Sequence, residues 1–206
     1  MNETTKRQIQ DIKQSFRIMM DGATAASMRE KGLKYKLNWG ATLPRLREKA
    51  DEIGMDYELA IGLWKENVRE CKILATMIMP PKRMLPEVAD IWMEQTPTVE
   101  IAEQAAFNLY QHLDYAADKA FQWLASSDDL PQICGFHVLS RLFMKGNEPN
   151  ERDINEFVDQ ALAALQSANP VLRKAAMQSM IHFASLGLVY QRIAQSATKR
   201  IQMNFI

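Results

Sequence analysis

The sequence predicts an all-α protein made of stacked helical pairs. Three observations predict it. First, an apolar phrase recurs: DYELAIGLWKENVRECKILATMIM (residues 56–79), then PEVADIWMEQT with VEIAEQAAFNLY, DYAADKAFQWLASS with PQICGFHVLSRLF, and NEFVDQALAALQSAN with PVLRKAAMQSMIHFA. None of these short helices can bury its apolar face alone, but a pair stacked on further pairs can. Second, Trp64, Trp92, Trp123 and Leu165 fall at matching places near the ends of the first helices, spaced by roughly 28 to 42 residues, near the usual period of helical-pair arrays. Third, Pro97, Pro131 and Pro170 stand at equivalent corners, near a first helical turn where a backbone N–H is not required.

The elements follow in order. Residues 4–20 predict a helix with Ile9, Ile12, Phe16 and Met19 or Met20 on one stripe, ended by Gly22. A short helix covers about 23–30. The segment LKYKLNWGATLP is irregular, and Thr42 can cap the helix LPRLREKADEIG that Gly54 closes. Residues 1–54 are then N-terminal capping helices and 55–186 are four helical pairs. The first pair turns at Glu66-Asn67, MPPKRM breaks the chain after it, and Asn147–Glu151 is a polar loop before the fourth pair. Residues 187–206 form a C-terminal cap, with a helix over about 188–204 whose apolar side is Leu188, Ile193, Ala197 and Ile201. The whole reads as one domain of 206 residues.

Composition narrows the function. Apolar residues are 47% and charged residues 24%, a globular rather than a disordered balance. Lys and Arg number 25, as do Asp and Glu, so a strong uniform polyanion binder is disfavoured, though a local basic patch can survive within a neutral total. Cys71 and Cys134 sit among apolar residues and read as buried free thiols, and no further cysteine or close histidine completes a zinc pattern, so no metal or cofactor is expected. The polar N-terminus is no secretory signal, and no apolar run approaches the roughly 20 residues that cross a bilayer. The expectation is a cytoplasmic monomer with no membrane role.

The order NWGATLPRLREKA, LAIGLWKENVRECKILATMIMPP and IWMEQTPTVEIAEQAAF resembles the HEAT-like DNA alkylation repair glycosylases over roughly residues 25–185, most specifically in LWKENVRECKILA at 63–75. The resemblance implies a right-handed α-solenoid, a superhelix of HEAT-like antiparallel pairs with a concave groove lined by the second helix of each pair. It implies duplex DNA in that groove and cleavage of the N-glycosidic bond of an alkylated, cationic base. The family's active motif is a tryptophan followed four residues later by an aspartate. Here those positions hold Val99 and Glu103, and the stretch Leu130–Gly135, where the family carries an arginine, has none. A carboxylate stabilises oxocarbenium charge, an aromatic face a cationic base, and an arginine a phosphate. Glu103 can serve the first role, and no obvious residue serves the other two, so a glycosylase would need a rebuilt site, with Tyr110, His137 or Arg141 aiding Glu103. The expected function is therefore duplex DNA binding without glycosylase chemistry. The alternatives are a glycosylase using Glu103 and a non-enzymatic protein-binding scaffold.

Helical geometry predicts the groove side chains. With Ile101, Ala102, Ala105, Ala106 and Leu109 on the core side, Glu103, Phe107 and Tyr110 turn outward. Arg69 and Lys72 line up with Thr76 on the first inner helix, where Arg69 can alternatively pair with Glu66 or Glu70 near the helix start. His137 and Arg141 share a face on the third, and Lys174, Gln178 and His182, with Arg173 alongside, on the fourth. Trp64, Trp92 and Trp123 are expected to pack between helices, since equivalent positions do equivalent work. Tyr35 and Trp39, beside Lys34 and Lys36, suit either a nucleic-acid grip or burial under the first repeat.

Overall fold

The computed structural model describes residues 3–202. Among them, the order is α1 (Glu3–Ile18), α2 (Gly22–Glu30), α3 (Leu43–Ile53), α4 (Tyr57–Trp64), α5 (Arg69–Ile78), α6 (Pro86–Glu94), α7 (Val99–Asn108), α8 (Ala116–Leu124), α9 (Asp129–Met144), α10 (Glu151–Leu165), α11 (Pro170–Ala184) and α12 (Leu188–Arg200). Single 3₁₀ turns lie at Pro81–Arg83, within the predicted MPPKRM break, and at Tyr110–His112. The local chemistry explains the boundaries. Asp56, Thr98 and Asn150 cap α4, α7 and α10 with side-chain oxygens that accept from the first turn. Pro170 occupies the first position of α11, and Gly54 ends α3 at φ 72°.

The helices pack within two compact units, the first running to Asp114 and the second beginning at Tyr115. In the first, α1 packs on α4, α4 on α5, and α5 lies between α3 and α7. Trp64 and Trp92 stack at 4.1 Å with planes 2° apart, both buried, and the Trp64 indole N–H donates to Gln95 Oε1 at 3.1 Å. The tryptophans at matching repeat positions are thus packing residues.

In the second unit, α9 packs on α8 and α11, and α11 on α10 and α12. Phe143, Phe157 and Phe183 form its centre, with ring centroids 5.0–5.5 Å apart. Gly135 lets α8 approach α9: a Cβ there would stand 2.8 Å from the Ala120 carbonyl. Cys71 and Cys134 are buried free thiols; burial pushes the Cys71 thiol up to about 12. In α12 the buried side is Ala194, Ala197 and Thr198, while Leu188, expected inside, is 73% exposed because it lies about 120° around the helix from Ala194 and about 180° from Ala197. Residues 203 and 204 of the expected last helix lie outside the described residues. No described helix is long and apolar enough to cross a membrane.

Candidate nucleic-acid interface

The first unit places two sets of charges very differently. Arg69, expected on an open face, is 1% exposed. Its Nε donates to Glu100 Oε2 at 2.9 Å and its Nη2 to Glu100 Oε1 at 2.6 Å, a bidentate fork. Its Nη1 donates to the Ala41 carbonyl at 2.9 Å and to Glu70 Oε1 at 3.3 Å. Glu70 is fully buried, and the same Oε1 accepts backbone N–H groups from Trp39, Gly40 and Ala41 at 3.0–3.2 Å. The Tyr35 hydroxyl completes the cluster by bonding Glu100 and, at 2.8 Å, Thr98 Oγ1.

The irregular segment around 31–41 causes this burial. It crosses the start of α5: Leu37 bridges to Val68, and Arg69 N–H donates to the Leu37 carbonyl at 3.0 Å. Trp39 is 9% exposed and faces Phe16, so burial under the first repeat is what the structure shows for it. Gly40 makes the crossing possible. Its φ is 78°, and a Cβ would stand 2.2 Å from the Asp21 carbonyl.

Desolvation raises the cost of charging Glu100, but the Arg69 hydrogen bonds and charge outweigh it and hold its pKa below the ordinary value. Desolvation works against the Arg69 cation as well, and Glu100 outweighs it, so the guanidinium's pKa is raised. Burial and the neighbouring Glu100 push the Tyr35 phenol upward.

Lys72 is also a correction. It is 6% exposed, its Nζ donates to the Trp64 carbonyl at 2.8 Å and lies 4.2 Å from the Trp64 ring centroid. Its cation therefore serves the end of α4 and the tryptophan stack. Burial lowers its pKa to about 8. Thr76, on the same predicted stripe, is buried and bonded to Asn108.

α7 keeps part of its predicted face. Ile101, Ala102, Ala105, Ala106 and Leu109 are buried, as expected, and Glu103 and Phe107 are exposed. Tyr110 is corrected to 1% exposure. α7 ends at Asn108, and Leu109 leaves helical geometry at φ −129°, ψ −63°, so the rotation of 100° per residue that would carry Tyr110 outward stops before reaching it.

The face gains a residue that sequence reasoning missed. Arg47 of α3 holds its guanidinium 5.7 Å from the Phe107 ring centroid. Exposed Arg45 shares α3 with it. The helix that carries Arg47 read as a cap, so only the packing of α3 and α7 on either side of α5 brings it to α7. Val99 is the first residue of α7, and Glu103 follows one turn later on the exposed side.

In the second unit, Lys174 and Gln178 are exposed one turn apart on α11. His137 and Arg141, one turn apart on α9, are half-buried, as is His182 on α11. His182 Nδ1 and Ser140 Oγ share a hydrogen bond of 2.6 Å. Desolvation, then the Arg141 charge, lower the His182 pKa, favouring the neutral ring at pH 7. Arg173 turns back on its own corner, donating to the Ser167 and Ala168 carbonyls at 2.6 and 3.0 Å. That leaves Lys174 as the more outward of the two cations.

The family model described as DNA alkylation repair enzyme matches residues 12–196. The chain belongs to the DNA alkylation repair enzyme family. A solved structure reported as "a new family of proteins related to the HEAT-like repeat DNA glycosylases with affinity for branched DNA structures" superposes on this family member with a TM-score of 0.82 at 18% identity. The likeness covers 93% of this chain and 82% of that one. It shows a shared all-α, HEAT-like repeat fold. A comparison with curated proteins finds no match.

Proposed function

We propose that this protein binds duplex DNA as a family member without base-excision chemistry. The observation that carries the reading is the pairing of Arg47 with Phe107, one turn from Glu103. A glycosylase of this family needs an aromatic face for a cationic base. Here a guanidinium lies over the ring of Phe107, one helical turn along α7 from the candidate carboxylate, and like charge repels such a base. The same guanidinium, held over a ring, is a pre-oriented fork for a phosphate. Val99 at the first position of α7 and the absence of arginine in 130–135 point the same way. Arg45 and Arg47 in the first unit, and Arg141 and Lys174 in the second, are the proposed phosphate contacts, with His137, Gln178 and His182 beside the latter pair. Because the solved relative is reported to have affinity for branched DNA, forked and junction duplexes belong in the test beside linear ones.

The test combines a binding titration at two salt concentrations with a base-release assay on methylated duplex. The expected result is salt-dependent binding, a salt slope lowered by about one unit in Arg47→Gln, and no released base. Robust release that disappears in Glu103→Gln would instead establish a glycosylase. Absence of binding to every DNA form would leave the protein-binding scaffold as the reading to pursue.

A further inference from the structure

Resting on the DNA-binding reading, we infer that His182 is a proton-linked phosphate contact: it takes up a proton when duplex DNA binds, so that affinity rises as pH falls. The ring is held in place. His182 stands in the last turn of α11, and its Nδ1 shares a 2.6 Å hydrogen bond with Ser140 Oγ on α9. Ser140 is 6% exposed, so the anchoring hydroxyl is fixed where the two helices pack. The ring itself is half-buried, and no hydrogen bond or ion pair among the described residues engages its Nε2. Nε2 is the nitrogen left for a ligand.

The anchor permits a change of charge. A serine hydroxyl both donates and accepts. In the neutral ring with its proton on Nε2, Nδ1 accepts from Ser140; in the imidazolium, Nδ1–H donates to Ser140 instead. Nε2–H is a donor in both states, which is what a phosphate oxygen requires. Protonation therefore adds a charge without undoing the anchor. The surroundings decide when it happens. α11 packs against α9, α10 and α12. From α9, Arg141 and, one turn before it, His137 share this face. Desolvation and then the Arg141 charge disfavour the protonated ring, and no group of α10 or α12 and no carboxylate acts on it. The C-terminal end of α11 favours a cation, but these two effects outweigh it. An imidazolium here thus meets a like charge and no built-in counter-ion. A bound phosphate supplies that counter-ion from outside, and an opposite charge nearby favours the charged form. Binding and protonation then promote each other, as linked equilibria must. The gain in affinity appears as pH falls through the titration of the bound ring and is complete below that of the free ring.

The experiment measures duplex binding at pH 5.5 and pH 8 at one ionic strength. Wild type is set against His182→Gln, with His112→Gln, on the exposed 3₁₀ turn of the first unit, as the control for a histidine outside the site. Wild type is expected to bind about fivefold more tightly at pH 5.5. His182→Gln should bind about equally at the two pH values, and His112→Gln should keep the wild-type difference. Calorimetry at pH 6 in two buffers of different ionisation enthalpy should show proton uptake by wild type that His182→Gln lacks. Since His182→Gln also alters the contact with Ser140, the titration of the ring is followed by NMR in wild type alone, free and bound to duplex. It should move to higher pH in the complex. A titration that binding leaves unchanged, or a pH dependence that persists in His182→Gln, would overturn the inference. Salt-dependent duplex binding that is indifferent to pH would overturn it too, and would leave the proposed function standing. Failure of wild type to bind any DNA would remove both.

Discussion

Arg69 on α5 and Lys174 on α11 look alike in sequence: each is a cation near the start of the second helix of a pair. In the structure they differ completely. Arg69 is enclosed by Glu100, Glu70 and the Ala41 carbonyl, while Lys174 is exposed. The difference does not lie in the helices. It lies in what crosses them: residues 31–41 cover the start of α5 with backbone N–H and carbonyl groups that Glu70 and Arg69 satisfy. A cation on an inner helix is therefore a ligand contact only where no neighbouring segment supplies it with acceptors.

The strongest way to break the comparison is Arg69→Ala. It would leave Glu70 and much of Glu100 buried without their cation, and the expected loss in urea unfolding is about 3–5 kcal/mol. Because Glu100 has a lowered pKa in the folded state, its stabilisation is fully present above its ordinary value of 4.5 and is lost as pH falls through the lower folded value. That acid-side loss should be reduced in Arg69→Ala. An unchanged urea midpoint would show that the cluster contributes nothing net.

Gly40→Ala attacks the covering segment itself. A positive φ costs about 1–3 kcal/mol for a residue with a side chain, and the new Cβ would collide with the Asp21 carbonyl. We expect a loss of about 2 kcal/mol or more, read as a lowered Tm. A normal Tm would mean the segment can be displaced without penalty.

On the exposed side, Lys174→Glu should leave stability unchanged and weaken duplex binding about tenfold, or about 1.4 kcal/mol, with a lower salt slope. The paired change at Arg173 is less clean, since Arg173 also holds the Ser167 and Ala168 carbonyls. Unaltered binding by Lys174→Glu would remove this face from the interface.

The smallest effect concerns Lys72. With a folded pKa of about 8 against an ordinary 10.5, the unfolded chain binds more protons between those values, so stability rises with pH across that window. Below pH 8 the cost of burying the charge is fully present. In Lys72→Met the rise should vanish, with stability at pH 7 within about 1 kcal/mol of wild type. A rise that persists in the variant would assign it to another group.

The sequence by itself determined the helices and, except in α12, their apolar sides, because periodicity and prolines act within a few residues. Gly54 and Pro170 stand where their chemistry requires, whereas Thr42, expected to cap α3, makes no side-chain cap bond. Equal repeat positions also marked Trp64 and Trp92 as packing residues. The exposed carboxylate on α7 was legible as well, since Glu103 lies opposite Ile101, Ala102 and Ala105 on a regular helix. Tyr110 was not, because it falls past a helix end that no local signal announced. Only the tertiary structure decided which polar residues stay in water. Arg69 is enclosed by Glu100 and Ala41 from other elements as well as by its neighbour Glu70, Lys72 by Trp64 of the preceding helix, and Arg47 reaches Phe107 from a helix far away in the chain. Electrostatic partners of this kind are chosen by proximity in space, and a side chain's own sequence neighbourhood carries no record of it.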